Sequence, residues 1–223
     1  MNIAVIGAGR IGGNIARRLT RAGHNLSLSF ARDTAALQAL AEEIGATVAT
    51  PAETVAGADV AVVSVPWVAL PEALEQAGPL EGKVVIDTTN QFGPGPHPAP
   101  GQTAAAFNAA RMPGARYTKS FNTLTSAFQA QVADRPREQR VVQWLCADDA
   151  EAKKLVAGLI EDAGYVPVDL GNVEGCAVME APRRPGAVYG EEWRLPEALE
   201  VAEAVRESRS MPETPQYEQE ARA

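Results

Sequence analysis

The chain has 223 residues, of which 46% are hydrophobic and 22% charged, a globular balance that excludes wholesale disorder and fibrous classes and fits one domain with a small extension. Its 20 basic and 28 acidic residues give a net charge of −8, which repels phosphate backbones and anionic lipid headgroups, so neither nucleic acid nor membrane is an expected partner. No apolar run approaches the roughly 20 residues of a membrane span.

Taken in order, Asn2–Ile6 is a short β-branched apolar run closed by glycine, as expected of a buried parallel strand. Ile11, Ile15 and Leu19 then mark one face of a helix from about Arg10 to Ala22, stopped by Gly23. A second strand, Asn25–Phe30, leads to Asp33 as an N-cap, with Leu37, Leu40 and Ile44 on one face of the next helix and Gly45 at its end. Thr47–Ala49 predicts a short strand, Pro51 opens a helix, and Asp59–Val65 predicts a central strand broken by Pro66. Leu70, Ala73, Leu74 and Ala77 predict a helix face, and Lys83–Asp87 a fifth strand. The Gly/Pro-rich stretch 93–101 is a loop because it cannot sustain helix or ladder hydrogen bonds. Beyond it come a helix at Thr103–Ala110, strands at Ala115–Ser120 and Arg140–Cys146, a helix at Asp149–Ala163, and a closing strand at Tyr165–Asp169. The pattern fades after Gly171. Pro196–Ser208 predicts a last helix with an inner stripe of Leu199, Ala202 and Val205, and Met211–Ala223 reads as disordered.

The first strand runs into Gly7-Ala8-Gly9-Arg10-Ile11-Gly12, a G-x-G-x-x-G placed between a strand and a helix. There Gly7 permits the tight turn, Gly9 lets a pyrophosphate approach the backbone, and Gly12 lets the helix lie close to the strand, while the helix N-terminus attracts phosphate. The second strand ends Leu28-Ser29-Phe30-Ala31-Arg32-Asp33, without the acid that usually holds an NAD ribose. Arg32 is placed to grip a 2′-phosphate, which favours NADP. The competing reading leaves Arg32 at the surface and gives Asp33 the ribose. Cys146 and Cys176 lack disulfide-framework or metal-ligand spacing and read as buried small hydrophobes. His24 reads as structural, and His97, in the proline loop, as a possible substrate neighbour. Neither a nucleophile elbow nor a Walker lysine is present, which excludes the common hydrolase and kinase signatures.

Over about residues 1–180 the chain resembles the NADPH-dependent coenzyme F420 reductase family (NADP oxidoreductase, coenzyme F420-dependent). The resemblance is carried by Ile3–Gly12, Gly23-His24, Ala31–Asp33, Ser64-Val65-Pro66-Trp67, Asp87–Asn90, Pro113–Ala115, Lys119-Ser120-Phe121-Asn122-Thr123-Leu124 and Cys146–Asp149. It implies NADP held by Gly7, Gly9, Arg10, Ile11, Gly12 and Arg32, with the nicotinamide near Ser64, Val65, Pro66, Thr89 and Asn90. It also implies a small-molecule hydride acceptor, a deazaflavin or related ring, against Phe121, Asn122, Thr123 and Leu124, and a homodimer. Trp67 joins that substrate pocket as a ring able to face a planar ligand. The chain departs from the family at Glu180–Gly190, where prolines and arginines stand in place of a continuous apolar helix, and this opens the acceptor to a flavin, a quinone or a ferric chelate.

The expectation is therefore a cytoplasmic NADPH-dependent reductase on a Rossmann-type, doubly wound, mostly parallel sheet (residues 1–172). A C-terminal arm (173–210) would cover the pocket or contact a second subunit, and a tail (211–223) would be disordered. An NADP-binding sensor without turnover is the rival from another class. Hydride transfer between stacked rings needs alignment more than acid–base groups, so the scarcity of histidine is no objection.

Overall fold

The computed structural model describes residues 1–217. Eight strands form one sheet: β1 (Asn2–Ile6), β2 (Asn25–Ser29), β3 (Thr47–Val48), β4 (Val60–Val63), β5 (Val84–Asp87), β6 (Arg116–Ser120), β7 (Val142–Ala147) and β8 (Val166–Asp169). Their order is β3-β2-β1-β4-β5-β6-β7-β8. The first six run parallel to their neighbours, β7 is antiparallel to β6, and β8 is parallel to β7.

Helices cover both faces, which is why β1, β4 and β5 are apolar almost throughout rather than alternating with polar residues. Ile3, Val5, Val60, Val62 and Ile86 point to one face, where α1 (Arg10–Arg21) packs Ile15 and Leu19, α2 (Thr34–Ile44) packs Leu37 and Leu40, and α7 (Ala150–Asp162) packs Val156 and Ile160. Ala4, Ile6, Ala61, Val63 and Val85 point to the other. That face is covered by α3 (Pro51–Ala56), α4 (Leu70–Ala77), α5 (Ala104–Ala109) and the segment after β8. The doubly wound, mostly parallel reading holds.

Asp33 caps α2 through the Ala36 N–H at 2.9 Å, and Gly45 ends that helix in the left-handed region, both where the sequence places them. Cys146 and Cys176 are both buried, with Cys146 Sγ 3.5 Å from Met179 Sδ. One helix, α6 (Ser126–Val132), escaped the periodicity reading; its signal was Thr125, whose hydroxyl accepts from the Phe128 N–H as an N-cap.

The C-terminal region differs from expectation in three respects. The last helix, α8 (Glu197–Arg206), buries Ala198, Val201, Ala202 and Ala204, while Leu199 is 54% exposed. Of the expected stripe, Ala202 is buried and Val205 packs against the core; Leu199 alone is misplaced, because small side chains let α8 lie close to its neighbours through its alanines. The arm is not a separate cover, because Cys176, Met179, Val188 and Trp193 join the core and the Val142 N–H donates to the Trp193 carbonyl at 2.8 Å. Of the stretch read as disordered, Met211 packs against the core and the Tyr217 hydroxyl accepts from the Arg194 N–H at 3.0 Å; residues 218–223 lie outside the described residues.

Candidate functional site

The chain proceeds from β1 outward through β2 to β3, then crosses back to β4, so β1 and β4 flank the topological switch point. At the C-terminal ends of these strands lies a cleft of about 830 Å³, lined by the segments that follow β1, β2, β4 and β5. Its size and position suit an elongated ligand.

The glycine loop forms one end. Gly7 has φ +93°, and a Cβ there would lie 2.6 Å from the Ser64 carbonyl oxygen, so the turn after β1 tolerates no side chain. A Cβ on Gly12 would collide with the Gly7 carbonyl oxygen, which is what close approach of α1 to β1 requires. Gly9 is the opposite case: nothing lies within 4 Å of the Cβ it lacks. The backbone at Gly9 is thus open to a ligand, and α1 behind it has no side-chain cap and no acid in its first turn. Its first N–H groups and positive dipole end face the cleft, a cradle for a pyrophosphate.

Arg10 and Arg32 line the same end and take part in no ion pair among the described residues. Asp33 also lines it, and one of its carboxylate oxygens, Oδ1, is taken by the Ala36 N–H as the cap of α2. This weakens the reading in which Asp33 binds a ribose. The end of β2 presents Phe30, with φ +57°, and Ala31 where an NAD site would carry an acid. The residues present therefore fit NADP.

The far end of the cleft is formed by Ser64, Val65, Pro66, Trp67, Val68 and Ala69 after β4, and by Thr88, Thr89, Asn90 and Phe92 after β5. None of these is charged; every charged residue of the lining (Arg10, Arg32, Asp33) belongs to the glycine-loop end. Trp67 forms wall rather than a free platform: it is buried, donates from Nε1 to the Pro96 carbonyl at 3.0 Å, and stacks against Phe107 and His97. His97 is exposed on the outer side of Trp67 and does not line the cleft.

Behind Thr89 lies a buried polar layer. Asp87 and Lys119, both fully buried, are 3.3 Å apart, and the same carboxylate oxygen accepts from the Tyr117 hydroxyl at 2.5 Å and from Asn108 Nδ2 at 2.8 Å. Burial alone would raise the Asp87 carboxyl; the Lys119 ammonium, with the Tyr117, Asn108 and Thr89 hydrogen bonds, outweighs it and holds the group below the usual carboxylate range. Burial, followed by the Asp87 charge, pushes the Tyr117 hydroxyl well up, so Tyr117 stays a neutral donor.

The sequence-derived cofactor residues Gly7, Gly9, Arg10, Ile11, Arg32, Ser64, Val65, Pro66, Thr89 and Asn90 all line this one cleft, and Gly12 supports it from behind. Of the expected substrate wall, Trp67 lines the cleft but Phe121, Asn122, Thr123 and Leu124 do not. Phe121 and Leu124 are core residues, Phe121 packing edge-on against Tyr165, and Thr123 is buried with its carbonyl accepting from the Gly190 N–H. Asn122 is one layer removed: its Nδ2 donates to Asn90 Oδ1 at 3.1 Å and to the Met179 carbonyl at 2.7 Å. These residues turn inward because α6 follows at once and Gln129 Nε2 ties the Phe121 and Leu124 carbonyls to it. The lining residues that sequence reasoning missed are, Thr88 apart, apolar, among them Phe30, Val68, Ala69 and Phe92. Phe92 is 56% exposed at the rim and meets Tyr189 of the arm at 6.2 Å between ring centroids. The arm reaches this rim indirectly. β8 runs opposite to the first six strands, so the chain leaves the sheet away from the cleft and returns through Gly175–Met179.

Similar proteins share this frame. A hypothetical protein from Sinorhizobium meliloti superposes with TM-score 0.75 at 26% identity, covering 86% of this chain and 95% of that one. An Arthrobacter chain assigned as an F420-dependent NADP-reductase superposes with TM-score 0.64 at 27% identity, covering 78% and 86%. Mouse metalloreductase STEAP2 is 27% identical over 101 residues, 45% of this chain but only 19% of that protein's length. Residues 2–91, which build the glycine loop, the Arg32 turn and the walls after β4 and β5, match the model of the family NADP oxidoreductase, coenzyme F420-dependent.

Proposed function

We propose that the protein is an NADPH-dependent reductase that passes a hydride to a stacked planar acceptor, the ring of a deazaflavin or flavin. The observation that carries the reading is the polarity of the cleft. Its glycine-loop end offers a phosphate cradle and two arginines that make no ion pair among the described residues, and its far end offers only neutral and apolar groups. Reduced nicotinamide, when bound, supplies the hydride. The chain's own tasks are then to hold phosphate on the first turn of α1, to engage the 2′-phosphate with Arg32, and to exclude water from the far end with Pro66, Val68 and Phe92.

An acceptor reduced here receives no proton from an ionisable side chain of the lining, since none stands at that end. This favours a ring whose conjugated carbonyls carry the incoming charge over an isolated ketone, which calls for a positioned acid. The similarity to metalloreductases keeps a ferric chelate as a second candidate. Arg183 is paired with Glu191 at 2.5 Å and Arg184 binds the Ala177, Glu180 and Pro182 carbonyls, so this pair has no part in the proposed site. A homodimer through the exposed Leu195 and Leu199 belongs to the same proposal; light scattering tests it.

The deciding experiment follows absorbance at the nicotinamide band while NADPH is mixed with F420, FMN, FAD, menadione and ferric citrate in turn. Oxidation by F420 or a flavin is the expected result. Turnover with the ferric chelate alone would replace the acceptor, and tight NADPH binding without turnover of any would favour a sensor.

A further inference from the structure

Thr89 is the point where the buried layer meets the cleft, and its hydrogen bonds leave a single group free. Its N–H donates to Asp87 Oδ1 at 2.7 Å, its carbonyl accepts from Lys119 Nζ at 2.8 Å, and its hydroxyl oxygen accepts from Asn108 Nδ2 at 3.1 Å. Among the described residues nothing accepts the hydroxyl hydrogen, and Thr89 lines the cleft; the hydroxyl oxygen, with one lone pair taken by Asn108, keeps a second. The direction of the Asn108 bond is itself dictated. Asn108 Nδ2 also faces Asp87 Oδ2, an oxygen that already accepts from Tyr117 and lies against Lys119; a reversed amide would set its oxygen against the carboxylate.

Asn90, the next residue, is arranged the same way. Its Oδ1 accepts from Asn122 Nδ2 at 3.1 Å and from the Ala181 N–H at 3.4 Å, and its Nδ2 spends one hydrogen on the Asn122 carbonyl at 2.8 Å. A second N–H is left. Two adjacent side chains thus have their oxygens engaged from behind and keep one donor each.

We propose that the buried Lys119–Asp87–Asn108 layer, acting through Thr89 and together with Asn90, creates a donor subsite that binds a carbonyl oxygen at the uncharged end of the cleft. The proposal rests on the reductase reading above, and under it two ligands offer such an oxygen: the nicotinamide carboxamide and a ring carbonyl of the hydride acceptor. A carbonyl conjugated to the carbon that receives the hydride gains negative charge in the transition state, which such donors stabilise. Asp87, Lys119 and Asn108 are positioning residues; they touch neither ligand.

The test compares wild type, Thr89→Val, Thr89→Ser, Asn108→Leu and Thr89→Val/Asn108→Leu, each first checked for a wild-type-like thermal transition. Calorimetry measures affinity for NADPH and for its thionicotinamide analogue, whose sulfur is a poor hydrogen-bond acceptor. Steady-state oxidation of NADPH by FMN gives KM and kcat.

If the carboxamide occupies the subsite, Thr89→Val weakens NADPH by about tenfold and leaves the analogue unchanged. If the acceptor carbonyl occupies it, NADPH affinity holds while kcat/KM for FMN falls by about tenfold. In both cases Thr89→Ser restores the value, and the double variant is no worse than Thr89→Val, because Asn108 acts through Thr89. Loss of fewer than about twofold in every readout, failure of serine to restore, or full additivity of the two substitutions overturns the proposal. Wild type that binds no dinucleotide removes the reductase reading itself, a result distinct from any of the variant outcomes.

Discussion

The two ends of the cleft are built by different means. At the glycine-loop end the residues that shape the site are neighbours in sequence: Gly7 and Gly12 each solve a steric problem set by the turn between β1 and α1, Gly9 leaves the backbone open to a ligand, and Arg32 lies in the turn after β2. At the far end Thr89 and Asn90 are also neighbours, but what orients them comes from α5 (Asn108), β6 (Lys119), the turn after β6 (Asn122) and the arm (Ala181). The first end is a local code written in backbone sterics. The second is a tertiary network whose members have no common motif.

Breaking that network should have the largest effect on the protein. Lys119→Met leaves the Asp87 carboxylate buried without its cation, and a loss of about 3–5 kcal/mol in chemical denaturation is expected. Adding Asp87→Asn to it should recover much of that loss, because the pair rather than either charge is what the interior accepts. Removal of the arm after Gly171 also belongs to this class. It would strip Met179, Val188 and Trp193 from the core, so the truncated chain should fail to fold cooperatively instead of surviving as a cofactor-binding domain.

The glycine-loop end should respond in binding before stability. Gly9→Val adds a side chain where the protein has open space, so its thermal transition should match wild type while calorimetry detects no NADPH binding; Gly12→Val, in contrast, should impair folding itself. Retained affinity in folded Gly9→Val would reduce the loop to a turn. Arg32→Ala should cost about 1.5–3 kcal/mol of NADPH affinity and little of NADH affinity.

The arm's grip on the network is a smaller contribution. Glu180, buried, accepts from the Ala104 and Ala105 N–H groups at 2.8 and 2.7 Å, and Glu180→Ala should destabilise by about 1–2 kcal/mol in the same denaturation assay. The smallest effect is expected at the surface. Arg116, hydrogen-bonded to Asp149, and the Ala152 N–H hold the Asp149 carboxyl far below the carboxylate range. Because its folded-state value is depressed, the stability it adds is present above the unfolded-state value and is lost as pH falls through the folded one. The stability difference between wild type and Asp149→Asn should therefore be constant near neutrality and shrink only in strong acid, and solvent screening keeps it small.

The same contrast explains what was legible in the sequence. Apolar runs and helix faces reveal the sheet and its eight strands, since each element announces itself within about a dozen residues. The glycine spacing likewise places one end of the cleft. Lys119-Ser120-Phe121-Asn122-Thr123-Leu124 stands out as a segment, but which of its residues face a ligand depends on α6 folding back over it, and the structure turns Phe121 and Leu124 into the core. Leu199 misleads for a related reason: α8 packs through alanines, whose contribution comes from close approach rather than size. Phe92 and Val68 were invisible because an exposed apolar side chain has no sequence signature until the rim it belongs to is assembled.

We propose that the cleft takes its preference for NADPH from the turn after β2. Parallel calorimetric titrations of the wild-type protein with NADPH and NADH at one salt concentration test it most directly. Tighter binding of NADPH, by about tenfold or more, is the predicted result. Equal affinity, or preference for NADH, would contradict it and return the ribose to Asp33.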